Sequence, residues 1–366
     1  MANSILKEVT FTPNTFDKNF ILKNIKRFYR LLEALNDITD SGIIVGISYQ
    51  WQKQIDKFIE QYDDCEKSEF QEIFKLLSDR HRIVIYPLNQ EFGDNEDNWI
   101  TQANLINQQR AFDVIVASKE SKTTQQIEHI ERGTFKNQGA KVSKQTKEFM
   151  HNMLSPILSY AEIVKIIDPY FSFEHQRFKD ALEIICKNLG NHHGVTEDAV
   201  MDIQTSIKAM INNKEFKWQL ADKWPEIIKY FEKKYGHVIT LSIWEEAKEE
   251  KWHERWIITN QCGIFIGKGS DISEWTDSTW SLLDWHALAD ITNKFDTNRE
   301  TYTYIGSVTS NGIVRNQNPK NISTFRTDNE KAKEQEKMLK KIALAEEERL
   351  RKKETFVTKS GIRKKQ

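Results

Sequence analysis

Residues 41–48 read SGIIVGIS, and two comparable stretches follow it, RIVIYPLN at 82–89 and DVIVASKE at 113–120. Each reads as a short buried strand, the first opened by a glycine turn. Helical patterns lie between them. NFILKNIKRFYRLLEALND (19–37) places apolar side chains at helical spacing, WQKQIDKFIEQY is amphipathic, and FQEIFKLLSDRH and WITQANLINQQRAF lead into the second and third strands. Short apolar strands alternating with helices imply a parallel sheet wrapped by helices. Residues 1–130 are therefore expected to form an α/β domain.

Outward from that block, the polar segment GTFKNQGAKVSKQTK (133–147) reads as the core of a linker spanning 131–150. A second α/β pattern follows. It holds the apolar strand IVKIIDPYF (163–171), a long helical region rich in Lys, Glu and aromatics (174–235), and further strands in HVITLSIW (237–244), RWIITNQCGIFIGKGSD (255–271) and YTYIGSVTSNGIV (302–314). This second domain is placed at 151–326. Residues 327–366, with KAKEQEKMLKKIALAEEERLRKKE at their centre, read as a charged helix with few apolar residues on any face. The fold class is thus α/β, with two α/β domains and a charged C-terminal helix.

Composition narrows the class. A chain of 366 residues exceeds the size at which a single hydrophobic core keeps growing, and 39% hydrophobic residues suffice to fill more than one. No apolar run approaches the roughly 20 residues that cross a bilayer, and the start, MANSILKEVTFTPN, lacks the blocks of a signal peptide, so a cytoplasmic protein is expected. Cys65, Cys186 and Cys262 are widely separated and fit neither a disulfide framework nor a zinc cluster. From Lys331 onward 13 Lys and Arg face 6 Asp and Glu, so a basic tail follows an acidic body. Such a tail attracts polyanions, or simply keeps a solvated helix soluble. No phosphate-binding G-x-x-x-x-G-K-[ST] loop and no G-x-S-x-G elbow occurs.

The stretch that carries chemistry is KWHERWIITNQCGIFIGKGSD, residues 251–271. On an extended strand His253 and Arg255, two apart, point to the same face. Imidazole can attack phosphorus or shuttle a proton, and guanidinium offers a fork of donors that matches two phosphate oxygens. Downstream, Gly267, Gly269 and Ser270 can bring backbone N–H groups close to an anion. The pattern suits a phosphodiester.

These residues resemble the His-x-Lys-x4-Asp signature of the phospholipase D superfamily, and in flavour the C-terminal domain of MIT-domain proteins and bacterial relatives that carry His-x-Arg followed by Gly-x-Gly-x-x-Asp. The positions here are His253 and Arg255, then Gly267, Gly269 and Asp271, the aspartate standing one residue closer to the second glycine than in that pattern, preceded by an Asp-Pro-Tyr strand at Asp168, Pro169 and Tyr170. The likeness spans about residues 155–315. It implies a phospholipase D-like second domain with His253, Arg255 and Asn260 in catalytic positions and Gly267, Gly269, Ser270 and Asp168 around the phosphate, without metal or cofactor. Two departures stand out: Arg255 replaces the lysine, and Asn260 replaces the aspartate that orients the imidazole. Only one such motif is present where classical members pair two, and a homodimer would supply a second His253. The resemblance therefore implies nucleic-acid recognition with weakened or absent cleavage, and a protein partner in a multi-component bacterial system of the antiphage defence kind. The rival it also implies is a non-catalytic scaffold that binds acidic lipid headgroups or partner proteins and dimerises.

Other candidates read as structure. His237, His286 and the His192–His193 pair are expected to be structural histidines. Trp244, Trp252, Trp256, Trp275, Trp280 and Trp285 are expected to be mostly core, stacking on the bases of a single strand being the alternative. In the first domain, Asp17 and Asp113 are similar to the strand-end carboxylates of PIN-like nucleases, but two carboxylates are too few for a metal, and a helix cap and a strand-start turn are the favoured readings.

Overall fold

The computed structural model describes residues 5–86, 93–137, 139–190, 199–212, 215–216, 218–246, 252–296 and 301–316. The charged helix expected over 327–366 and the His192–His193 pair lie outside the described residues. Among them no helix is long and apolar enough to cross a membrane.

The α/β reading holds. The first sheet has four parallel strands, β1 (Lys7–Phe11), β2 (Gly42–Gly46), β3 (Ile83–Ile85) and β4 (Val114–Val116), in the order β3-β2-β1-β4. Helices α1 (Lys18–Leu22), α2 (Ile25–Ser41), α3 (Trp51–Ile59), α4 (Asp64–Asp79) and α5 (Glu96–Gln109) make the crossovers. Their starts follow from capping chemistry: the Asn24 side chain accepts from Lys26 N–H, and that of Asp63 from Cys65 and Glu66 N–H, satisfying donors that have no intrahelical partner.

The second sheet has nine strands. They are β5 (Lys141–Gln145), β6 (Ile163–Ile167), β7 (Val200–Ser206), β10 (Val238–Glu246), β11 (Arg255–Thr259), β12 (Gly263–Ile266), β13 (Ser273–Leu282), β14 (Tyr302–Thr309) and β15 (Gly312–Arg315), with a separate two-stranded ribbon of β8 (Ile211–Asn212) and β9 (Glu215–Phe216). The order is β15-β14-β10-β7-β6-β11-β12-β13-β5. Only the central β10, β7 and β6 are mutually parallel, joined by α7 (Gln176–Asn188) and α8 (Trp224–Tyr235); the flanking pairs are antiparallel. The remaining helices are α6 (Lys147–Leu158) and α9 (Trp285–Lys294).

The linker expected at 131–150 is not a linker. Phe135 is buried in the core, Lys141–Gln145 pairs with β13 as an edge strand, and the Thr146 hydroxyl caps α6 by accepting from Phe149 N–H. The polarity that suggested a linker belongs to an edge strand whose outer face meets water, where lysines also discourage pairing with another chain. One apolar cluster runs from Ile5 through Val45, Trp99, Ile166 and Ile203 to Val308, so the two sheets share a core. Arg110 pins them together: it ion-pairs with buried Glu8 of β1, donates to Ser159 Oγ at 2.9 Å just past α6, and lies over the Tyr160 ring. A second cluster, with Trp244, Trp252, Trp256, Leu288 and Phe295, covers the other face of the large sheet beneath α9. The core reading of the tryptophans therefore holds for Trp244, Trp252, Trp256 and Trp280, and fails for Trp275, which is 90% exposed.

Candidate functional site

The motif residues meet at the edge of the large sheet where β6, β7 and β10 end, the edge at which parallel strands of α/β sheets generally present ligand sites. Immediately past β6, Asp168 N–H donates to Gln204 O at 3.0 Å, and Asp168 Oδ1 accepts from Tyr170 N–H at 2.9 Å. Aspartate ahead of proline closes this turn because its carboxylate reaches the amide two residues on. Antiparallel pairing of Trp256 with Ile167 brings Arg255 beside the turn. Arg255 Nη1 donates to Gly267 O at 3.4 Å, its guanidinium carbon is 5.1 Å from the Tyr170 ring centroid, and its buried Nε has no partner among the described residues. Lys208, ion-paired with Glu246, lies 5.8 Å from the same ring.

The Gly267–Asp271 turn is held from three sides. Gly269 O accepts from Gln145 Nε2 of β5 at 2.6 Å, Ser270 donates through N–H and Oγ to Asp168 Oδ2 at 2.8 and 2.9 Å, and Asp271 pairs with Arg177 Nε at 3.2 Å. Gly269 has φ +118°, and a Cβ there would come within 2.5 Å of Asp271 Oδ1, so glycine is required on both counts. Burial pushes the Asp271 carboxyl above the usual aspartate range, Arg177 opposes the shift, and the neighbouring Asp168 charge adds to it.

This geometry corrects several expectations. Asp168 and Ser270 satisfy one another: the Ser270 amide and hydroxyl that were to bind phosphate already hold a buried carboxylate. Gly267 N–H is likewise engaged, with Thr279 O at 2.8 Å, so Gly267 shapes the turn rather than donates to an anion. Asn260 is buried at the far end of β11, where its Oδ1 accepts from Glu162 N–H at 3.3 Å. It lies five positions along the chain from Arg255, on the order of 16 Å at 3.3 Å per residue, so it cannot orient His253. His253 itself precedes the strand. Trp252 Nε1 donates to Glu254 O at 2.8 Å, curling the segment, and the alternation that was to aim both side chains at one face begins only at Arg255. The imidazole is exposed and has no hydrogen-bond partner among the described residues.

His237 is structural as expected, buried with Nε2 2.9 Å from Cys186 O. In the first sheet, Asp17 caps α1 by accepting from Asn19 N–H, while Asp113 accepts from Glu8 N–H at 2.8 Å at the start of β4. These two carboxylates sit at opposite ends of parallel strands, and no group of three or more His, Cys, Asp or Glu able to hold a metal occurs among the described residues. The residue that sequence reasoning missed there is Glu96. Its Oε1 collects Thr12 Oγ, Ser118 N–H and Ser118 Oγ at 2.9, 2.7 and 2.8 Å between the carboxyl ends of β1 and β4, where the strand order reverses. No protein-family model matches the chain, and no curated protein matches it in sequence.

Proposed function

We propose that the Arg255 site recognises a phosphodiester of nucleic acid, and that the chain acts as the recognising member of a multi-component bacterial system of the antiphage defence kind, with little or no cleavage on its own. The observation that carries the reading is the state of Arg255. Its guanidinium is oriented by the Tyr170 ring, holds one long hydrogen bond to Gly267 O, and keeps Nε unsatisfied in a half-buried position. Nη2 of a guanidinium so placed has no hydrogen bond among the described residues and can donate to a phosphate, and a small turn of the side chain that also uncovers Nε would present the two as a fork, recovering the free energy that the unmet buried donor costs. Absence of cleavage follows from the chemistry around His253: a nucleophilic imidazole needs an orienting carboxylate, and the residue expected in that role, Asn260, is at the other end of the strand. The defence setting and the protein partner rest on the resemblance of the His253–Asp271 stretch.

Fluorescence anisotropy with labelled single-stranded oligonucleotides tests it. Arg255→Ala should weaken binding about 10- to 100-fold, the worth of a charge-assisted hydrogen bond. Arg255→Lys should recover only part, since an ammonium keeps the charge without the fork. His253→Ala should leave affinity unchanged. Equal binding by Arg255→Ala and the wild type would end the proposal; Arg255-dependent binding to vesicles of acidic phospholipid, with none to oligonucleotides, would favour the scaffold reading instead.

A further inference from the structure

Trp275 stands apart from the other tryptophans whose side chains the structure describes. Along β13 the register with β5 slips between Ser273 and Asp277, so Glu274, Trp275 and Thr276 are looped out of the ladder while the strand resumes on either side. Ser273 Oγ and Thr276 Oγ, 3.0 Å apart, tie the base of this bulge. A bulge re-aims a side chain, and this one lifts an indole into water with 90% of its surface exposed. Exposing so large an apolar ring is unfavourable in the free protein, and a tied bulge keeps the ring from folding back.

The position of the bulge points to its use. Ser273 pairs with Gln145, whose side chain holds Gly269 O, and Gly267 accepts the hydrogen bond of Arg255. Trp275 is therefore carried on the extension of the same β12–β13 hairpin that forms the turn beside the guanidinium, at the same edge of the sheet. We infer that Trp275 is a stacking platform for an unpaired nucleobase whose backbone phosphate is held by Arg255, which makes single-stranded nucleic acid the ligand class. The inference rests on the phosphodiester reading of Arg255 and deepens it. A flat aromatic face accepts any base without sequence preference, as a strand tracked by its backbone requires. The surroundings disfavour a bilayer: the indole is flanked by exposed Glu274, Thr276 and Asp277, and one ring beside two carboxylates lacks the broad apolar face of a membrane-lying element, while Lys144, exposed opposite Asp277 on β5, adds a cation suited to a phosphate backbone.

The test compares oligothymidylate with an abasic oligonucleotide of equal length, so that phosphates are constant and only the bases differ. The wild type should prefer oligothymidylate by about ten-fold, the scale of one stacked base. Trp275→Ala should abolish the preference while keeping abasic binding, Trp275→Phe should retain part of it, and Arg255→Ala should weaken both ligands alike. Near-ultraviolet circular dichroism of Trp275→Ala should match the wild type, because an exposed ring on a bulge supports no packing. Equal affinity of the wild type for the two ligands would overturn the stacking role while leaving the phosphodiester reading in place. Binding to neither would remove both. Trp275-dependent binding to phosphatidylserine vesicles or capture of a protein in place of oligothymidylate would also overturn it.

Discussion

Replacing Asp168 by alanine separates two roles for this carboxylate. The side chain is fully buried and accepts three hydrogen bonds, from Tyr170 N–H, Ser270 N–H and Ser270 Oγ, all at 2.8–2.9 Å. Hydrogen bonds to a charged acceptor contribute about 1.5–3 kcal/mol each, but they are not additive, and removal of the buried charge recovers part of its desolvation cost. A net loss of about 3–5 kcal/mol is expected, in the range found when one partner of a buried charged network is removed. In a chain of this size each kcal/mol moves the melting midpoint by about 2 °C, so a drop of about 6–10 °C should appear in differential scanning fluorimetry. Ser270→Ala, which removes the hydroxyl but keeps the amide bond, should cost only about 1–2 kcal/mol. If Asp168 instead lined a phosphate pocket, its removal would take a negative charge from beside the ligand, tighten anion binding and leave the midpoint almost unmoved. A midpoint within about 2 °C of wild type would refute the structural role argued from the three bonds.

Two further outcomes concern other parts of the chain. Arg110→Ala leaves the Glu8 carboxylate, only 4% exposed, without its guanidinium, and should cost about 3–5 kcal/mol in urea unfolding followed by tryptophan fluorescence; a loss below about 1 kcal/mol would contradict the pinning role. Glu183, bonded to Lys234, Tyr235 and Lys187, has its carboxyl drawn down to about 2 from an ordinary 4.5. A depressed carboxyl stabilises the fold above its unfolded value and loses that contribution as pH falls, so Glu183→Gln should trail the wild type above about pH 4.5 and converge with it near pH 2. The gap should stay within about 1 kcal/mol because water screens this partly exposed cluster. A pH-independent gap would show that packing, not charge, is lost.

Much of the fold was legible because apolar runs mark strands covered by helices or by a second apolar cluster, in the parallel centre of the sheets and in the antiparallel strands beside it. The stretches at 41–48, 82–89, 113–120, 163–171, 237–244, 255–271 and 302–314 all supply strands. What escaped notice did so for identifiable reasons. In β1 the polar Glu8 and Thr10 interrupt the pattern, yet both are buried, one paired with Arg110 and the other donating to Val45 O at 2.7 Å; neither partner is visible from local spacing. β7 lies inside a stretch dominated by helix-forming residues, and β13 loses its period-two alternation at the Glu274–Thr276 bulge. At the site, the motif located Arg255, the glycine turn and the Asp168 strand end, since all three are fixed by strand pairing. The motif misplaced His253 and Asn260 because their roles depend on where β11 begins and ends, and helix and strand termini are the least determined feature of any sequence pattern. Arg177 gave no local signal, since it reaches Asp271 from a helix nearly a hundred residues upstream.

The core shared by the two sheets also decides how events at one end of the molecule are felt at the other. With Ile5 and Val308 in one apolar cluster and Arg110 bridging β1 to the residues after α6, opening either sheet exposes the packing surface of its neighbour. Amides deep in β1 should then exchange with solvent through an opening that also disrupts the large sheet, and a ligand bound at Arg255, as proposed above, would slow their exchange by mass action without touching them. The indole N–H groups of Trp51 and Trp99, buried against the first sheet, would then report by slower exchange the binding proposed at the second.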